Sequence, residues 1–239
     1  MAAALPLAQA AAGLDRSPGL ALFDLDGTLL PIDSDHAFGE FMVRIGWADA
    51  EAHQRRNDAF YADYQAGCLD IHAYIEFATS AWRARSAPEL AAASARFMRE
   101  VIGPVLLEPA RALVERHREA GDELAIVTST NDFVTAPIAA ALGIPHLLAT
   151  ELERDAAGRV TGRIRGTPAL REGKVERVAH WLAERGTTLQ ACTRSTYYGD
   201  STNDLPLLEQ VTHPVATNPG PALAQIAAQR GWPVLRLFP

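Results

Sequence analysis

Two carboxylates at the end of an apolar segment are the first residues of this sequence that could do chemistry. Asp24 and Asp26 follow the apolar run 19–23, and Gly27 lets the chain turn directly after them. The continuous run predicts a buried parallel strand. In open α/β sheets the loops at the carboxyl ends of such strands carry the ligand site. A calcium loop of the EF-hand type is excluded, because it needs a preceding helix and a glycine at its sixth position.

A second pair of carboxylates, Asp200 and Asp204, lies in the segment Tyr-Gly-Asp-Ser-Thr-Asn-Asp (198–204), after another strand-like run. Four acids at the ends of two parallel strands would repel one another if nothing compensated their charge. A dication with oxygen ligands, such as Mg²⁺, is the natural remedy. The sequence therefore predicts a magnesium site at this edge of a sheet.

Two hydroxyl groups and a lysine are further candidates. Thr128 and Ser129 follow the apolar run 123–127 and precede a predicted helix, where hydroxyls and free amides bind phosphate. Both residue types are also common helix caps. Lys174 lies in the first turn of a predicted amphipathic helix and is the single lysine among 22 basic residues. A cation is slightly unfavourable at the N-terminal end of a helix, which suggests that Lys174 has a function other than stabilising the helix.

The elements predicted around these residues alternate between strand and helix. Strands are expected at 19–23, 123–127, 146–149, 195–198 and 234–237, and helices at 109–120, 132–142, 172–185 and 219–230. This alternation predicts an α/β fold with a doubly wound, Rossmann-like parallel sheet covered by helices on both faces. A turn at Ala157-Gly158 predicts a hairpin over 151–164 at the rim of the sheet.

Residues 31–107 interrupt the alternation, because they predict helix after helix. Their aromatic residues recur at helical spacing and are expected to form the core of these helices rather than a ligand site. We therefore predict a helical cap domain over 31–107, inserted into a catalytic core of 18–30 plus 108–239. Residues 1–17 are expected to be a flexible tail. They lack the positively charged start of a signal peptide, so we expect a cytoplasmic protein.

The composition excludes several classes of partner. The chain has 22 basic and 29 acidic residues, a net charge of −7 and no long basic run. Nucleic acid and anionic membranes are therefore not expected as main partners, and no apolar run is long enough to span a bilayer. Cys68 and Cys192 lie far apart, outside any zinc spacing, which indicates a reducing compartment.

Taken together, the four polar segments resemble those of the haloacid dehalogenase superfamily of hydrolases. Their order and spacing are similar to subfamily IB, the phosphoserine-phosphatase-like branch. The resemblance covers residues 19–239 and rests on Asp-x-Asp-Gly-Thr (24–28), Thr128-Ser129, Gly173-Lys174 and Gly-Asp-x-x-Asn-Asp (199–204). The helical insertion looks like the C1-type cap of that family. A P-loop enzyme is excluded, because Gly-x-x-x-x-Gly-Lys-Ser/Thr does not occur.

The resemblance implies a role for each acid of the site. Asp24 would be the nucleophile that forms an aspartyl-phosphate. Asp26 would protonate the leaving oxygen and then activate water. The Asp24 side chain, the Asp26 carbonyl and Asp200 would hold Mg²⁺, with Asp204 in support, directly or through water.

The remaining implied roles concern the phosphate and the rest of the substrate. The Thr128 hydroxyl and the Ser129 amide would hold the transferring phosphoryl group, with Asn203 alongside. The side-chain contact is open between Thr128 and Ser129, and we prefer Thr128. Lys174 would bridge nucleophile and phosphate. Asp33 lies nine residues after Asp24, where phosphoserine phosphatases carry an acid for the amine of the substrate.

We therefore expect a Mg²⁺-dependent phosphatase that hydrolyses a small phosphorylated metabolite and is a monomer or a homodimer. An amino-phosphate such as histidinol phosphate or phosphoserine is among the expected substrates. The alternative is a phosphotransferase or phosphomutase that uses the same aspartyl-phosphate and excludes water. A non-catalytic binding protein on this scaffold is a third hypothesis. Carbon–halogen chemistry is disfavoured, because the dehalogenases of the superfamily lack the second acid, here Asp26.

Overall fold

The fold is that of a parallel sheet with helices on both faces, in a computed structural model that describes residues 19–238. The strands are β1 Leu20–Phe23, β2 Glu123–Asn131, β3 His146–Thr150, β4 Leu152–Arg154, β5 Val160–Ile164, β6 Ser195–Gly199, β7 His213–Thr217 and β8 Val234–Leu235. Six of them form one sheet in the order β3-β2-β1-β6-β7-β8, and all neighbours are parallel. This arrangement confirms the doubly wound α/β prediction.

Nine α-helices are found within the described residues. They are α1 Ser34–Arg44, α2 Ala50–Ala66, α3 Ile71–Ser80, α4 Ala87–Phe97, α5 Glu108–Glu119, α6 Asp132–Leu142, α7 Glu172–Ala183, α8 Leu205–Leu208 and α9 Pro221–Arg230. None of these described helices has the length and apolar character needed to cross a membrane. The tail predicted over 1–17 lies outside the described residues.

The central strand β1 explains why its sequence is apolar without interruption. Ala21 and Phe23 pack into the hydrophobic cluster on one face of the sheet, and Leu20 and Leu22 into the cluster on the other. Both faces are therefore buried, as in other doubly wound sheets. β1 pairs with β2 and with β6, so that Phe23 lies beside residues near the ends of both neighbours. The polar segments that follow these three strands consequently meet at one edge.

The strand β7 is absent from our sequence prediction. Its second residue is Pro214, and a proline argues against a central strand because it has no N–H to donate. β7 nevertheless pairs with β6 and β8. The loop after it carries Asn218, whose Nδ2 donates to the carbonyl of Gly27 at 2.8 Å and thereby supports the first acidic loop.

The predicted hairpin is present as the antiparallel pair β4–β5. It forms a separate two-stranded sheet and packs against α3 rather than extending the main sheet. Within the described residues the hairpin therefore does not pair with an edge strand of the main sheet, and it contacts the helical insertion instead.

The helical insertion α1–α4 packs on one face of the sheet. Phe38, Phe41, Trp82 and Phe97 belong to the same hydrophobic cluster as the sheet residue Phe23. Helix α2 differs, because only His53 and Asn57 are buried along its 17 residues. The insertion is thus anchored through its other helices, and α2 lies at its surface. The exact domain boundaries at 31 and 107 remain a prediction.

Candidate active site

Asp24 lies at the end of β1 and is almost fully buried, with 2% of its surface exposed. Its N–H donates to the carbonyl of Tyr198 at 2.8 Å, which continues the pairing of β1 with β6. Its Oδ1 accepts a hydrogen bond from Lys174, whereas its buried Oδ2 has no hydrogen-bond partner among the described residues. Burial raises the pKa of Asp24 to about 7, and the Lys174 ammonium opposes this rise. The uncompensated oxygen is a position for a cation or an incoming electrophile.

Lys174 reaches the predicted nucleophile from the first turn of α7. Its Nζ lies 2.7 Å from Asp24 Oδ1, 2.5 Å from Asp204 Oδ1 and 3.1 Å from the Tyr197 hydroxyl. Burial by itself would lower the pKa of Lys174, but Asp204 and Asp24 raise it well above the usual value. The side chain therefore carries a fixed positive charge inside the protein. The tertiary structure brings it to Asp24 although the two lie 150 positions apart.

Three of the predicted acids approach one another closely. One carboxylate oxygen from each of Asp24, Asp200 and Asp204 lies within 4.8 Å of the others. Burial and then the nearby Asp24 carboxylate raise the pKa of Asp200 well above its usual value. Such a group of carboxylates, with an unpartnered Asp24 oxygen, suits an oxygen-liganded dication, because the cation removes the mutual repulsion.

Asp204 is already engaged by protein groups. Its Oδ1 accepts from Lys174 and Tyr197, and its Oδ2 accepts from the backbone N–H groups of Asp200 and Ser201. These contacts hold the loop after β6 in shape. Asp24 and Asp200 are therefore better placed to bind a metal directly, and Asp204 to orient the loop that carries Asp200.

Gly27 leaves room for Asp200 in this arrangement. Its φ of +77° lies in the left-handed region, and a Cβ there would lie 2.4 Å from Asp200 Oδ2. Only glycine combines that backbone conformation with so close an approach. The glycine noted in the sequence thus serves the contact between the two acidic loops as well as the turn.

The side chain of Asp26 contacts the first helix of the insertion and the end of β2. Its Oδ1 accepts from the Ser34 N–H at 2.7 Å, and its Oδ2 accepts from the Thr130 hydroxyl at 2.7 Å. Burial, and next the carboxylate of Asp33, raise the pKa of Asp26 to about 7. A carboxyl group that titrates near neutral pH is suited to general acid–base chemistry.

The hydroxyls at the end of β2 have different surroundings. Thr128 is buried, and its Oγ1 accepts from the Thr130 N–H at 3.2 Å. Ser129 lines a pocket beneath the helical insertion. Thr130, the third hydroxyl of this segment, has no predicted role, and it donates to Asp26 Oδ2. That Thr128 rather than Ser129 supplies the side-chain contact to the phosphate stays a prediction.

A pocket extends from this edge of the sheet into the insertion. Asp33, Asp35 and His36 line it together with Ser129 and Thr130, and so do the apolar and aromatic side chains Phe60, Tyr61, Tyr64, Leu69, Ile71 and Tyr74. Three of the aromatic residues that we assigned to the core of the insertion, Phe60, Tyr64 and Tyr74, therefore face a cavity. A second cleft adjoins Asp26, Asp33 and Asp200.

The two acids of the pocket accept hydrogen bonds from other groups of the protein, and their pKa values are raised. Asp33 caps α1 by accepting from the His36 N–H at 2.8 Å, and burial raises its pKa to about 6. Asp35 accepts from Asn131 Nδ2 at 3.1 Å, and burial followed by the nearby Asp26 raises its pKa to about 7. Among the described residues that line the pocket and the cleft there is no lysine or arginine.

Asn203 connects the acidic loop to the insertion. Its Nδ2 donates to the carbonyl of Tyr64 at 3.1 Å, and its Oδ1 accepts from Arg171 Nε at 3.2 Å. Arg171 also donates to the carbonyl of Gly67. The predicted contact of Asn203 with a phosphoryl group is therefore accompanied by a link between core and insertion that the sequence analysis missed.

Most of the contacts that sequence reasoning missed join residues that are distant in the sequence. Thr130 and Asp26 lie 104 positions apart, and Asn203 and Tyr64 lie 139 positions apart. Tyr197 could have been found, because it precedes the Gly-Asp segment by two residues on a buried strand. Tyr64 and Arg171 have no comparable signal.

Comparisons with known proteins show the family of this chain. The family model of haloacid dehalogenase-like hydrolases matches residues 21–209. A histidinol-phosphatase from Neisseria meningitidis serogroup C is 46% identical over 216 residues, which cover 90% of this chain and 97% of that protein. A solved structure of unknown function from Bordetella pertussis Tohama I has a TM-score of 0.87 and 51% identity, over 92% of this chain and 99% of that one.

A substrate-bound phosphoserine phosphatase complex has the same fold, with a TM-score of 0.66 over 92% of this chain and 94% of that one. Its identity of 17% supports the fold alone. The family match spans most of the chain, and the related histidinol-phosphatase covers nearly all of the described part. The chain therefore belongs to the haloacid dehalogenase-like hydrolases, and within them it is a phosphatase.

Proposed function

We propose that the protein hydrolyses a small phosphomonoester through a covalent aspartyl-phosphate on Asp24. One observation carries this proposal: the buried Asp24 has one oxygen on the Lys174 ammonium and the other without a partner among the described residues. Asp26, two residues further on, is the adjacent acid that transfer from an ester requires. Both the site residues and the cytoplasmic location that we expect are part of this proposal.

In the first step a carboxylate oxygen of Asp24 forms a bond to phosphorus, and the bond between phosphorus and the ester oxygen breaks. The leaving oxygen takes a proton from Asp26, whose raised pKa of about 7 keeps that proton available near neutral pH. Lys174 stabilises the negative charge that the phosphoryl oxygens share during transfer. The Thr130 hydroxyl holds Asp26 in place at 2.7 Å.

In the second step water attacks the phosphorus of the aspartyl-phosphate. Asp26, now ionised, accepts a proton from this water, and the bond between phosphorus and Asp24 breaks. Inorganic phosphate leaves, and both acids return to their starting states. Thr128 and Ser129 are proposed to hold the phosphoryl group through both steps.

Asp24, Asp200 and the Asp26 carbonyl are the proposed ligands of Mg²⁺, with Asp204 supporting Asp200. The dication would neutralise charge on the phosphoryl oxygens and orient them. The carboxylate group within 4.8 Å and the unpartnered Asp24 oxygen support this assignment. Magnesium is preferred over softer metals because all of these ligands are oxygens.

We propose that the substrate is an amino-phosphate that lacks a carboxylate, such as histidinol phosphate. Phosphoserine is the less favoured candidate. The pocket presents Asp33 and Asp35 to the part of the substrate beyond the phosphate, and these acids favour a cationic group. Phosphoserine carries a carboxylate, which would face these acids with no lysine or arginine among the described lining residues. The aromatic side chains suit an imidazole ring. The similarity to a histidinol-phosphatase supports the same choice.

Steady-state hydrolysis of histidinol phosphate, phosphoserine and p-nitrophenyl phosphate, with Mg²⁺ and with chelator, tests the proposal. We expect kcat/KM for histidinol phosphate to exceed that for phosphoserine by about tenfold or more, and chelator to abolish turnover. Asp24→Asn should be inactive on all three esters. Asp26→Asn should lose histidinol phosphate activity but keep part of its activity on p-nitrophenyl phosphate, whose leaving group needs no proton.

Two results would contradict the proposal. One is full turnover by Asp24→Asn, and the other is undiminished activity in chelator. Appearance of the phosphoryl group on an added alcohol, with little free phosphate, would favour the phosphotransferase alternative.

A further inference from the structure

Helix α2 lies over the active site but contributes little to the hydrophobic core. Of its 17 residues only His53 and Asn57 are buried. Its carboxyl end is held by two polar contacts from the core: Asn203 Nδ2 donates to the carbonyl of Tyr64 at 3.1 Å, and Arg171 donates to the carbonyl of Gly67. Asn203 lies in the turn that also carries Asp204, and Arg171 directly precedes α7, which carries Lys174. The position of α2 is therefore tied to the geometry of the acidic site.

Tyr64 is one of the residues of α2 that face the site. Its side chain lines the pocket together with Ser129 and also the cleft that contains Asp26 and Asp200. Its hydroxyl has no hydrogen bond with any other described residue. Burial, and next the nearby Asp24 carboxylate, raise the pKa of Tyr64 well above its usual value. The phenol thus stays protonated and is a hydrogen-bond donor near the predicted nucleophile.

We propose that Tyr64 is a catalytic residue whose phenol donates a hydrogen bond to a non-bridging phosphoryl oxygen during transfer. The inference rests on the proposed function, because it assumes a phosphoryl group between Asp24 and α2. The core side of that group is served by Lys174 and by Thr128 and Ser129 near the end of β2, and Tyr64 serves the opposite side. No bond to Tyr64 is made or broken.

Asn203 is the positioning residue for this donor. Because its amide holds the Tyr64 backbone, loss of the amide should displace the phenol and lower activity through Tyr64. The effect of the two substitutions should then be less than additive, as for residues that act through one contact.

Tyr64→Phe tests the proposal, with p-nitrophenyl phosphate and an alkyl phosphate as substrates at saturating Mg²⁺. We expect kcat to fall about 10- to 100-fold for both esters, the range for loss of one hydrogen bond to a charged group, while KM changes less than threefold. Equal loss on both esters is expected because a non-bridging oxygen is independent of the leaving group. A loss confined to the alkyl ester, or an unchanged kcat, overturns the proposal.

Tyr198→Phe is the matched control, since it also removes a phenol hydroxyl, but one that contacts His117 rather than the site. It should lower the melting temperature and leave kcat of the folded enzyme within threefold. Asn203→Ala should lower kcat, and Asn203→Ala with Tyr64→Phe should lose little more than Tyr64→Phe alone. Fully additive losses would remove Asn203 from its positioning role.

Failure of this inference is distinguishable from failure of the proposed function. If the wild type is active, Asp24→Asn is inactive and Tyr64→Phe retains full kcat, then only the role of Tyr64 is overturned. If Asp24→Asn retains activity, the proposed function itself fails.

Discussion

Replacement of Lys174 by arginine is the most direct test of the charge arrangement. The ammonium is fully buried and is shared by three acceptors, namely Asp24 Oδ1 at 2.7 Å, Asp204 Oδ1 at 2.5 Å and the Tyr197 hydroxyl at 3.1 Å. All three converge on a single nitrogen. Arginine keeps the charge but distributes its donors over a wide planar fork, which does not fit such a point.

Two magnitudes follow from this geometry. Extra atoms in a closely packed interior cost about 1–3 kcal/mol of stability. Loss of a preorganised electrostatic contact to the reacting group costs about 10²- to 10³-fold in kcat, or about 2.7–4 kcal/mol. Because arginine still compensates the two carboxylates, Lys174→Arg should remain folded. Lys174→Met leaves both acids without the ammonium and should cost about 3–5 kcal/mol of stability as well as the activity.

The assay combines kcat for p-nitrophenyl phosphate with the free energy of unfolding from denaturant titration. Arg177→Lys is the control, since it exchanges the same two residue types on the same helix while its partner is Glu151. It should keep kcat within threefold. A Lys174→Arg enzyme with kcat within threefold of the wild type would refute the reasoning, and the single lysine would then have no catalytic explanation.

Three other predictions concern different parts of the molecule. Gly27→Ala should raise the Mg²⁺ concentration for half-maximal activity by about 10-fold or more, because its Cβ would displace the Asp200 carboxylate. The ratio of kcat/KM for histidinol phosphate to that for p-nitrophenyl phosphate should fall as the pH drops through about 6, because the pKa of Asp33 is raised to that value and the neutral acid no longer attracts a cation. Asp122→Asn should lower the free energy of unfolding by about 3 kcal/mol near neutral pH, and the difference should narrow below about pH 4.

The surroundings of Asp122 determine the direction of its pKa shift and therefore how its contribution to stability depends on pH. Burial alone would raise its pKa, but hydrogen bonds from His117 and the Gly19 N–H, together with the charge of Arg194, lower it overall. A lowered pKa contributes stability above the ordinary carboxylate pKa, and that stability is lost as the pH falls through the lowered value. A difference between wild type and variant that is constant from pH 7 to 3 would contradict this reasoning.

Controls for the other two predictions are available in the chain. Gly46→Ala is matched to Gly27→Ala, since Gly46 also has a positive φ but no atom within 4 Å of the added Cβ. It should cost stability and leave the Mg²⁺ requirement unchanged. Asp33→Asn should make the substrate ratio lower and less dependent on pH. A ratio that follows the wild-type pH profile in this variant would show that Asp33 does not bind the cationic group.

The sheet was largely predictable, and the exceptions have physical causes. Apolar runs of four or five residues with glycine beyond the following helix are local signals, and β1, β2, β3 and β6 were all expected. β7 was missed because Pro214 lacks the N–H of a typical central strand residue. The pair β4–β5 was expected as a hairpin at the rim of the sheet, and it forms a separate two-stranded sheet directly after the edge strand β3.

The sequence by itself determined the sheet, the family and the group of acids, because residues that follow neighbouring parallel strands must meet at one edge. The proximity of Asp24 and Asp200 could be predicted on that basis alone. Only the tertiary structure decided what surrounds them: Tyr64 in one cleft with Asp26 and Asp200, Thr130 on Asp26, and Asn203 between core and insertion. These contacts join residues that lie more than a hundred positions apart. Helical periodicity specifies which face of a helix such as α2 is buried, but not which distant loop that helix meets.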